Sequence, residues 1–348
     1  MLKFGVIGTG VGGEFVVRAM KELEKEGLLK VVAVVGRKPT KTEEFAKKWG
    51  VKSWYTCSRD MITREELDAV AISVPHYLHY YYAIEAIDAG LHVLVDKPIA
   101  VNLVEADEMI NRAERKGVKL GVILQNRFDP KFRKIKDLIE TGKLGKIILG
   151  EALVEWYRTH DYYAKSDWRG RWGTEGGGAL INQAIHMIDI LLWFMGDPSE
   201  VYAIAGTYAH EIEVEDLAVA VLKYPSQAIG VIEASTAIYP GLPTRVEIHG
   251  TKGTVIWEAG KIKMLAIEGE EVYSEKEEVE GLASWARPEA VPPYNHIELI
   301  RDFVKAVEED RRPFVDGREG RRSLELIRAI YLSQMSKSPV KYPIKEHI

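Results

Sequence analysis

The chain has 348 residues, of which 46% are apolar and 28% charged, a composition of globular proteins that excludes a disordered, collagen-like or coiled-coil chain. At this length we expect two domains, because single hydrophobic cores stop growing near ~250–300 residues. The net charge of −5 argues against nucleic-acid and acidic-membrane partners, and the single cysteine, Cys57, excludes a disulfide framework and argues against a cysteine-based zinc site.

No apolar run approaches the ~20 residues that cross a bilayer. The first ten residues lack the pattern of a signal peptide, so we expect a cytoplasmic protein. Asparagine and glutamine together account for only nine residues, beside 52 acidic and 47 basic ones. Few amides among many charges is the trend of hyperthermophile proteins, so we expect a thermophilic protein, with chance bias as the alternative.

The first third of the chain alternates short apolar runs with helical periods, which predicts a parallel sheet with helices on both faces. The predicted strands are 3–7, 30–35, 69–74, 92–95 and 119–124. The predicted helices are 14–25, 40–48, one that opens at Thr63-Arg64-Glu65-Glu66, 77–89 and 102–116. We therefore expect residues 1–124 to form a doubly wound, Rossmann-type domain.

The regular alternation of strands and helices ends in the second domain, which we place at residues 125–348. A helix over 130–140, a long strand over 146–157 and an apolar helix over 178–194 lead into six strands between 201 and 267. Sequential strands with short turns predict a large, open, mostly antiparallel sheet of α+β type. Residues 268–280 are predicted to be a solvated hairpin or loop, and the closing helices (about 294–336) are expected to pack back on the first domain.

A glycine-rich segment, Gly8-Thr9-Gly10-Val11-Gly12-Gly13, fits the G-x-G-x-x-G pattern between a buried strand and a helix. Its first glycine would permit a tight turn, its second the approach of a pyrophosphate and its third close packing of helix on strand. The alternative is a tight turn that binds nothing. We predict a dinucleotide site whose contacts include Gly8, Thr9, Gly10, Val11 and Gly13.

The end of the second strand discriminates between the two nicotinamide dinucleotides. NAD sites place an acidic residue there to bind the ribose hydroxyls, but this strand ends in Val35-Gly36-Arg37-Lys38. Arg37 and Lys38 would pair with a 2′-phosphate, which predicts NADP as the preferred cofactor. In the alternative, Arg37 stacks on the adenine and NAD is used as well.

The fifth strand ends in Asp96-Lys97-Pro98. Ligands of doubly wound sheets bind at the carboxyl ends of the strands, so Lys97 is expected to project to the nicotinamide. A lysine there can share the proton of a substrate hydroxyl. Without the glycine-rich segment, a surface lysine would be the default interpretation.

These segments together resemble the Gfo/Idh/MocA family of NAD(P)-dependent oxidoreductases. The resemblance is carried by GTGVGG, by Pro75-His76-Tyr77-Leu78-His79 and by AGLHVLVDKP, and it continues through Gln125-Asn126-Arg127-Phe128 over nearly the whole chain. The family usually has P-N-x-x-H and E-K-P, whereas this chain has His76 and Asp96. The resemblance implies further cofactor contacts from Ser73, Val74, Pro75, His79, Asp96, Lys97 and Asn126.

The helix that follows the glycines at 176–178 carries Asn182, His186 and Asp189. The glycines are expected to bring the backbone close to whatever occupies the cleft. The resemblance implies that His186 acts with Lys97 on the hydroxyl being oxidised. An Asp often occupies the Asn182 position in the family; since an amide does not titrate, we expect Asn182 to bind and orient the substrate. No third and fourth ligand accompanies His186 and Asp189, so we expect no metal.

Aromatic and arginine side chains upstream of this helix suit a polyhydroxylated ligand. We predict substrate contacts from Tyr163, Trp168 and Arg169, and also from Asn126, with an aromatic core or subunit contact as the alternative. The sequence assigns no role to His210, Glu213 or Glu215.

The resemblance implies a dehydrogenase or reductase that acts on CH–OH groups of a sugar, cyclitol or sugar derivative bound between the domains. The alternative is a non-catalytic regulator that senses a dinucleotide or sugar on the same fold; the presence of Lys97 and His186 favours the enzyme. Strand segments 219–222 and 229–232 leave little charge on either sheet face. Because relatives pair these faces, we expect a homodimer or homotetramer.

Overall fold

A computed structural model describes residues 1–275 and 293–345, and all structural statements below concern these residues. They divide into two compact units. The first contains residues 1–100, 104–128 and 293–321, and the second contains residues 101–103, 129–275 and 322–345.

The first unit is built on a six-stranded parallel sheet with the strand order β3-β2-β1-β4-β5-β6. Its strands are β1 (Leu2–Ile7), β2 (Leu29–Val35), β3 (Ser53–Tyr55), β4 (Ala69–Ile72), β5 (His92–Asp96) and β6 (Leu120–Ile123). Its helices are α1 (Val11–Lys25), α2 (Pro39–Trp49), α3 (Ser58–Arg64), α4 (His79–Asp88) and α5 (Leu103–Lys116). The predicted Rossmann-type sheet is confirmed.

The central strands are apolar because both faces of the sheet are covered. All four residues of β4 and all four of β6 are buried. On α1, Val16, Met20 and Leu23 lie at helical spacing and are less than 2% exposed. Each such side chain contributes roughly 1.5–3 kcal/mol when it leaves water.

One helix boundary differs from the sequence prediction. Thr63 does not begin a helix; α3 ends at Arg64, and Glu65 already has extended backbone. The Thr63 hydroxyl donates to the Arg59 carbonyl, within the helix that precedes it, and the Glu65 carboxylate accepts from the Tyr55 hydroxyl at 2.6 Å. The helix predicted to open at Thr63 is therefore wrong, because the side chains of Thr63 and Glu65 bind other partners instead of capping a helix.

The second unit contains an eight-stranded sheet with the order β13-β12-β11-β7-β10-β9-β8-β14. Its strands are β7 (Ile147–Glu155), β8 (Glu200–Gly206), β9 (Leu217–Lys223), β10 (Ile229–Ser235), β11 (Arg245–Gly250), β12 (Gly253–Glu258), β13 (Lys261–Ile267) and β14 (Val340–Lys341). Only the β7–β10 pair is parallel among those described. The predicted large, mostly antiparallel sheet is confirmed.

The helices of this unit precede and follow the sheet strands. They are α6 (Pro130–Glu140), α7 (His160–Ala164), α8 (Trp172–Glu175) and α9 (Ile185–Met195). Two helices close the chain, α10 (Tyr294–Glu308) in the first unit and α11 (Gly317–Ser336), which starts in the first and continues in the second. Of the predicted loop 268–280, residues 268–274 are exposed and 276–280 lie outside the described residues.

The two faces of the eight-stranded sheet differ in burial. Alternate residues of β9, namely Ala218, Ala220 and Leu222, are buried, while Val219 and Val221 between them are 39% and 47% exposed. Register pairs Val221 with Tyr202 on one side and with Val231 on the other. One face is therefore covered by the unit's own helices, and the other presents apolar side chains to the surface.

The helical stretch Trp172–Met195 is long and apolar enough to span a membrane by length and composition. Polar and charged residues interrupt this stretch, so no long apolar run marks it in the sequence. In the structure 78% of its apolar window is buried inside the protein, the environment of a core helix.

Candidate active site

The glycine-rich segment turns sharply from β1 into α1. Gly8 has φ = +120°, and a Cβ atom there would collide with the carbonyl of Ser73. A Cβ at Gly13 would collide with the carbonyl of Gly8, so helix and strand pack at backbone contact. At Gly10, in contrast, nothing lies within 4 Å of where a Cβ would be. The open space at Gly10 is where a pyrophosphate would approach.

The first turn of α1 suits an anion. Gly10 is the N-cap residue, and no side chain described here caps its N–H groups. The one acidic residue of that turn, Glu14, is paired with Lys48. Unfilled N–H groups and the positive end of the helix dipole favour a phosphate, so the segment fits a dinucleotide.

Asp96 ends β5 and ties together the ends of two strands. Its Oδ2 accepts from the Ser73 hydroxyl at 2.7 Å, and its Oδ1 accepts from the backbone N–H of Lys97 at 2.8 Å. A Cβ at Gly12 would lie 2.9 Å from Asp96 Oδ2. The Asp96 carboxylate thus fixes the backbone at Lys97 beside the glycine-rich turn, and the short aspartate side chain is long enough to make these contacts.

His79 holds the backbone of two segments that carry predicted cofactor contacts. It is fully buried, with Nδ1 2.7 Å from the Pro98 carbonyl oxygen and Nε2 2.9 Å from the Val74 carbonyl oxygen. Burial lowers the pKa of His79, against the opposing effect of Asp96. The ring thus supports the backbone that follows β4 and β5, and a contact of His79 with the cofactor stays a prediction.

The structure also brings His296 of α10 into this region, which the sequence did not suggest. Its ring stacks on Phe15 of α1 with centroids 5.6 Å apart. Burial lowers the pKa of His296 to about 4, although the charge of Asp96 opposes this. His296 lies 281 residues from Phe15 and 200 residues from Asp96, so no local pattern could have indicated it.

Arg37 and Lys38 follow β2 and are both exposed, and α2 begins directly after them. Gly36 before them is buried, and a Cβ there would lie 2.5 Å from the Thr9 hydroxyl and collide with that of Thr42. The acidic residue of an NAD site has no room at position 36 without rearrangement. Since β1, β2, β4 and β5 are parallel, Arg37 lies at the same sheet edge as Gly8, Ser73 and Lys97.

Asn126 lies in the first unit, half-buried in the 3-10 turn Gln125–Phe128. The turn is held by Arg127, which is 2% exposed and pairs with Glu319 at 2.7 Å. Val74 and Pro75 follow β4 at the edge that also carries Ser73.

In the second unit, the glycines at 176–178 approach protein rather than open space. A Cβ at Gly176 would lie 3.0 Å from Val101, one at Gly177 would collide with the Tyr331 hydroxyl, and one at Gly178 would collide with the Glu215 carbonyl. The expectation that these glycines admit a ligand to the backbone is replaced by a packing reason.

Glu215 is the residue that sequence reasoning missed here. It is buried, and its carboxylate accepts from the N–H groups of Gly178 and Leu180, each at 2.9 Å, and from the Tyr331 hydroxyl at 3.0 Å. Burial raises the pKa of Glu215 to about 7, although these hydrogen bonds lower it. Glu215 therefore holds the start of the segment that bears Asn182 and His186.

Asn182 lies in a π-helical segment, Leu180–Ala184, and His186 lies in the first turn of α9. π-Helical turns are rare and occur often at functional sites. Both side chains are half-buried, whereas Asp189 is 1% exposed. The Nδ2 atom of Asn182 donates to Glu175 at 2.6 Å.

The predicted aromatic and arginine contacts form one cluster. The Arg169 guanidinium lies over the rings of Tyr162 and Trp168, 4.6 and 4.7 Å from their centroids. Tyr163 is buried and shares a hydrogen bond with Thr236 at 2.8 Å; burial raises its pKa. A cavity of about 440 Å³ is lined by residues that include Tyr163, Arg169 and His210.

His210 and Glu213 border the same cavity. His210 Nδ1 lies 2.9 Å from Asp216 Oδ2 and its Nε2 lies 2.8 Å from the Arg158 carbonyl oxygen. Glu213 accepts from the backbone N–H of Trp172 at 3.2 Å. Both residues thus order the loops around the cavity.

One group of side chains has the composition of a metal site, although the sequence predicted none. Ligand atoms of Glu151, Glu247 and His249 lie within 4.8 Å of one another on β7 and β11. Arg245 already pairs with Glu247 at 2.7 Å, so the group has a counter-charge of its own.

Comparison with known proteins decides the family. Residues 2–124 match an oxidoreductase family with an NAD-binding Rossmann fold, and residues 132–256 match the GFO/IDH/MocA C-terminal domain. An uncharacterized oxidoreductase of Schizosaccharomyces pombe is 31% identical over 73% of this chain and 70% of its own length. The chain belongs to the GFO/IDH/MocA family of oxidoreductases.

Several relatives of this GFO/IDH/MocA protein have assigned activities. Myo-inositol 2-dehydrogenase of Thermotoga maritima is 26% identical over 98% of both chains. 1,5-Anhydro-D-fructose reductase of Ensifer adhaerens is 28% identical over 74% of this chain and 75% of its own. The WlbA dehydrogenase of Bordetella pertussis, solved with NADH and UDP-GlcNAcA, is 29% identical, with a TM-score of 0.87 over 99% of this chain and 98% of that one.

Proposed function

We propose that this oxidoreductase transfers a hydride between a nicotinamide and the CH–OH or carbonyl carbon of a sugar, cyclitol or sugar derivative. The observation that carries the proposal is one edge of the parallel sheet, where an open Gly10 turn follows β1 and Lys97 follows β5, the two strands that flank β4. The dehydrogenases and reductases among the relatives support the substrate class.

Lys97 and His186 are the proposed acid–base residues. A bound nicotinamide supplies the hydride acceptor or donor. During oxidation the neutral amine of Lys97, with the neutral imidazole of His186, would take the hydroxyl proton, and during reduction the protonated group would return it. Asp96 holds the Lys97 backbone, and Asn182, Tyr163, Trp168, Arg169 and Asn126 are proposed to bind the substrate.

NADP is the proposed preferred cofactor. Arg37 and Lys38 are exposed at the edge where the adenosine ribose of a dinucleotide would lie, and a side chain at Gly36 would displace the side chains of Thr9 and Thr42. A guanidinium pairs well with a phosphate, whereas the hydroxyls of NAD gain less from it.

The second candidate, a regulator that senses a dinucleotide without turnover, is the less favoured one. The relatives with assigned activities are dehydrogenases and reductases, and this chain has Lys97 and His186. A regulator would need neither side chain.

A homodimer or homotetramer through the eight-stranded sheet is proposed as the assembled form. The uncovered sheet face carries Tyr202, Ile204, Val219, Val221 and Ile229, which are 39–56% exposed. Apolar area of this kind on a sheet face is typical of an interface between subunits.

The protein is further proposed to come from a thermophile and to work in the cytoplasm. Besides the low amide content, several arginines pair with two acidic residues each, such as Arg301 with Glu26 and Glu298. Shared ion pairs of this kind stabilise proteins at high temperature. One exposed cysteine, Cys57, suits a reducing compartment.

The test is a screen of aldoses, cyclitols and sugar nucleotides with NAD and with NADP, followed by the near-ultraviolet absorbance of the reduced cofactor. Oxidation of at least one compound, faster with NADP, is expected. If the protein binds both dinucleotides and oxidises or reduces nothing in the panel, the regulator is the better account.

A further inference from the structure

Glu175 is a buried carboxylate at the end of α8 that contacts two parts of the second unit. It is 1% exposed. Its Oε1 accepts from Asn182 Nδ2 at 2.6 Å, and its Oε2 accepts from the backbone N–H of Gly170 at 2.5 Å. Both carboxyl oxygens thus accept from N–H donors, the role that a carboxylate fills.

The two partners of Glu175 belong to different elements of the candidate site. Asn182 lies in the π-helical segment that leads to His186, and Gly170 lines the cavity beside Arg169. Gly170 has φ = +78°, and a Cβ there would lie 2.8 Å from Ile212, so its loop has little freedom. One carboxylate therefore sets the position of the Asn182 segment against the loop that lines the cavity.

Glu175 also determines which way the Asn182 amide points. A carboxylate has no hydrogen to donate, so only the NH₂ end of Asn182 can face it. The same nitrogen also donates to the Tyr162 hydroxyl oxygen, at 3.5 Å. A second carboxylate at position 182 would instead put two like charges at hydrogen-bond distance.

We infer that Glu175 is a positioning residue for the proposed reaction: it fixes the orientation of the Asn182 amide and makes an amide, rather than a carboxylate, the group that this site requires at position 182. The inference rests on the proposed function, because it assumes that Asn182 touches the substrate. Glu175 itself need not.

A swap of the two functional groups tests the inference, with the panel compound that reacts fastest as substrate. In E175Q the side-chain oxygen of the new glutamine still accepts from the Gly170 N–H, so the NH₂ group of that glutamine faces the NH₂ group of Asn182. The Asn182 amide must then turn, and kcat/KM is expected to fall about 10- to 100-fold. N182D places two carboxylates in contact, so kcat/KM falls and its acidic limb moves to higher pH.

The double variant E175Q/N182D restores a donor opposite an acceptor. Its kcat/KM is expected to exceed that of each single variant at least tenfold, and its thermal unfolding midpoint to exceed both. E271Q, which changes an exposed glutamate of the same unit, is the matched control and should behave as wild type. Recovery of stability without recovery of kcat/KM would mean a structural role only and overturns the inference.

Two further outcomes separate this inference from the proposed function. If N182A leaves both kcat and KM unchanged, Asn182 does not touch the substrate, and the proposed site fails first. If N182A impairs turnover but the double variant is no better than the single ones, the role of Glu175 fails alone. Should E175Q not fold, the pH profile of N182D decides, and a profile like that of wild type overturns the inference.

Discussion

The two units differ in how far apart in sequence their site residues lie. In the first unit, Gly8, Ser73 and Lys97 each follow the carboxyl end of a strand within one or two residues. In the second unit, the start of the Asn182 segment is held by Glu215, 37 residues from Gly178 and 116 residues from Tyr331. In the first unit each site residue directly follows a strand, and the parallel sheet brings these residues to one edge. In the second unit, contacts between segments far apart in sequence position the site residues.

This difference separates two kinds of variant. Replacing a residue at a strand end in the first unit should impair the reaction and spare stability, because the sheet beneath is formed by other side chains. Replacing a buried contact in the second unit should alter stability and reaction together, because the same contact folds the unit and places the site.

Lys97→Met should have the largest effect on turnover. Removing the amine while keeping a chain of similar length should lower kcat about 10³-fold, the scale of acid–base catalysis, and leave NADPH affinity and thermal stability close to wild type. Stopped-flow turnover and fluorescence titration of NADPH measure the two quantities. The exposed Lys52→Met is the control; a kcat for Lys97→Met within tenfold of wild type contradicts the assignment.

Glu215→Gln should change how stability depends on pH. The pKa of Glu215 is raised to about 7 in the folded protein from an ordinary value of 4.5, so the folded state binds more protons between these values. Its free energy of unfolding therefore falls as pH rises through that window, by about 3 kcal/mol from this group. Urea unfolding at pH 5 and 8 should show that loss in wild type and not in the variant. The same pH dependence of the free energy of unfolding in wild type and variant would refute the assignment to Glu215.

The sequence predicted those features that depend on neighbouring residues. The glycine-rich turn, the strand that ends at Asp96 and the six strands between 201 and 267 follow from local spacing. Glu215 and His296 could not be found this way, because their roles come from burial against segments far along the chain. Glu175 has its partners Gly170 and Asn182 within seven residues, but no motif in the sequence marks these contacts. The same limit explains why the glycines at 176–178 were interpreted as a ligand surface, although they pack on Tyr331 and Glu215.

Val221→Glu tests whether the apolar sheet face is an interface. Val221 pairs in register with Tyr202 and Val231, near the middle of that face. A charge there should weaken subunit association about 30-fold or more, because it must be desolvated in the assembly. Light scattering over a dilution series should show wild type as an oligomer and the variant shifting to monomer. Val104→Glu, on exposed α5, is the control; a monomeric wild type would remove the proposal.

Arg37→Ala should have the smallest effect, confined to one cofactor. Loss of the guanidinium should raise the KM for NADPH about tenfold and leave that for NADH within twofold, since only NADPH carries the 2′-phosphate. Initial rates with both cofactors give the comparison. Equal changes for the two cofactors would indicate that Arg37 stacks on the adenine instead.

Transfer of deuterium from substrate to cofactor tests the central claim most directly. The protein is incubated with NADP⁺ and with sugars and cyclitols deuterated at their CH–OH carbons, and the reduced cofactor is analysed by mass spectrometry. We expect one deuterium in each molecule of cofactor reduced by at least one compound, and a rate of transfer about 10³-fold lower with Lys97→Met. Binding of the cofactor with no transfer from any compound would contradict the account.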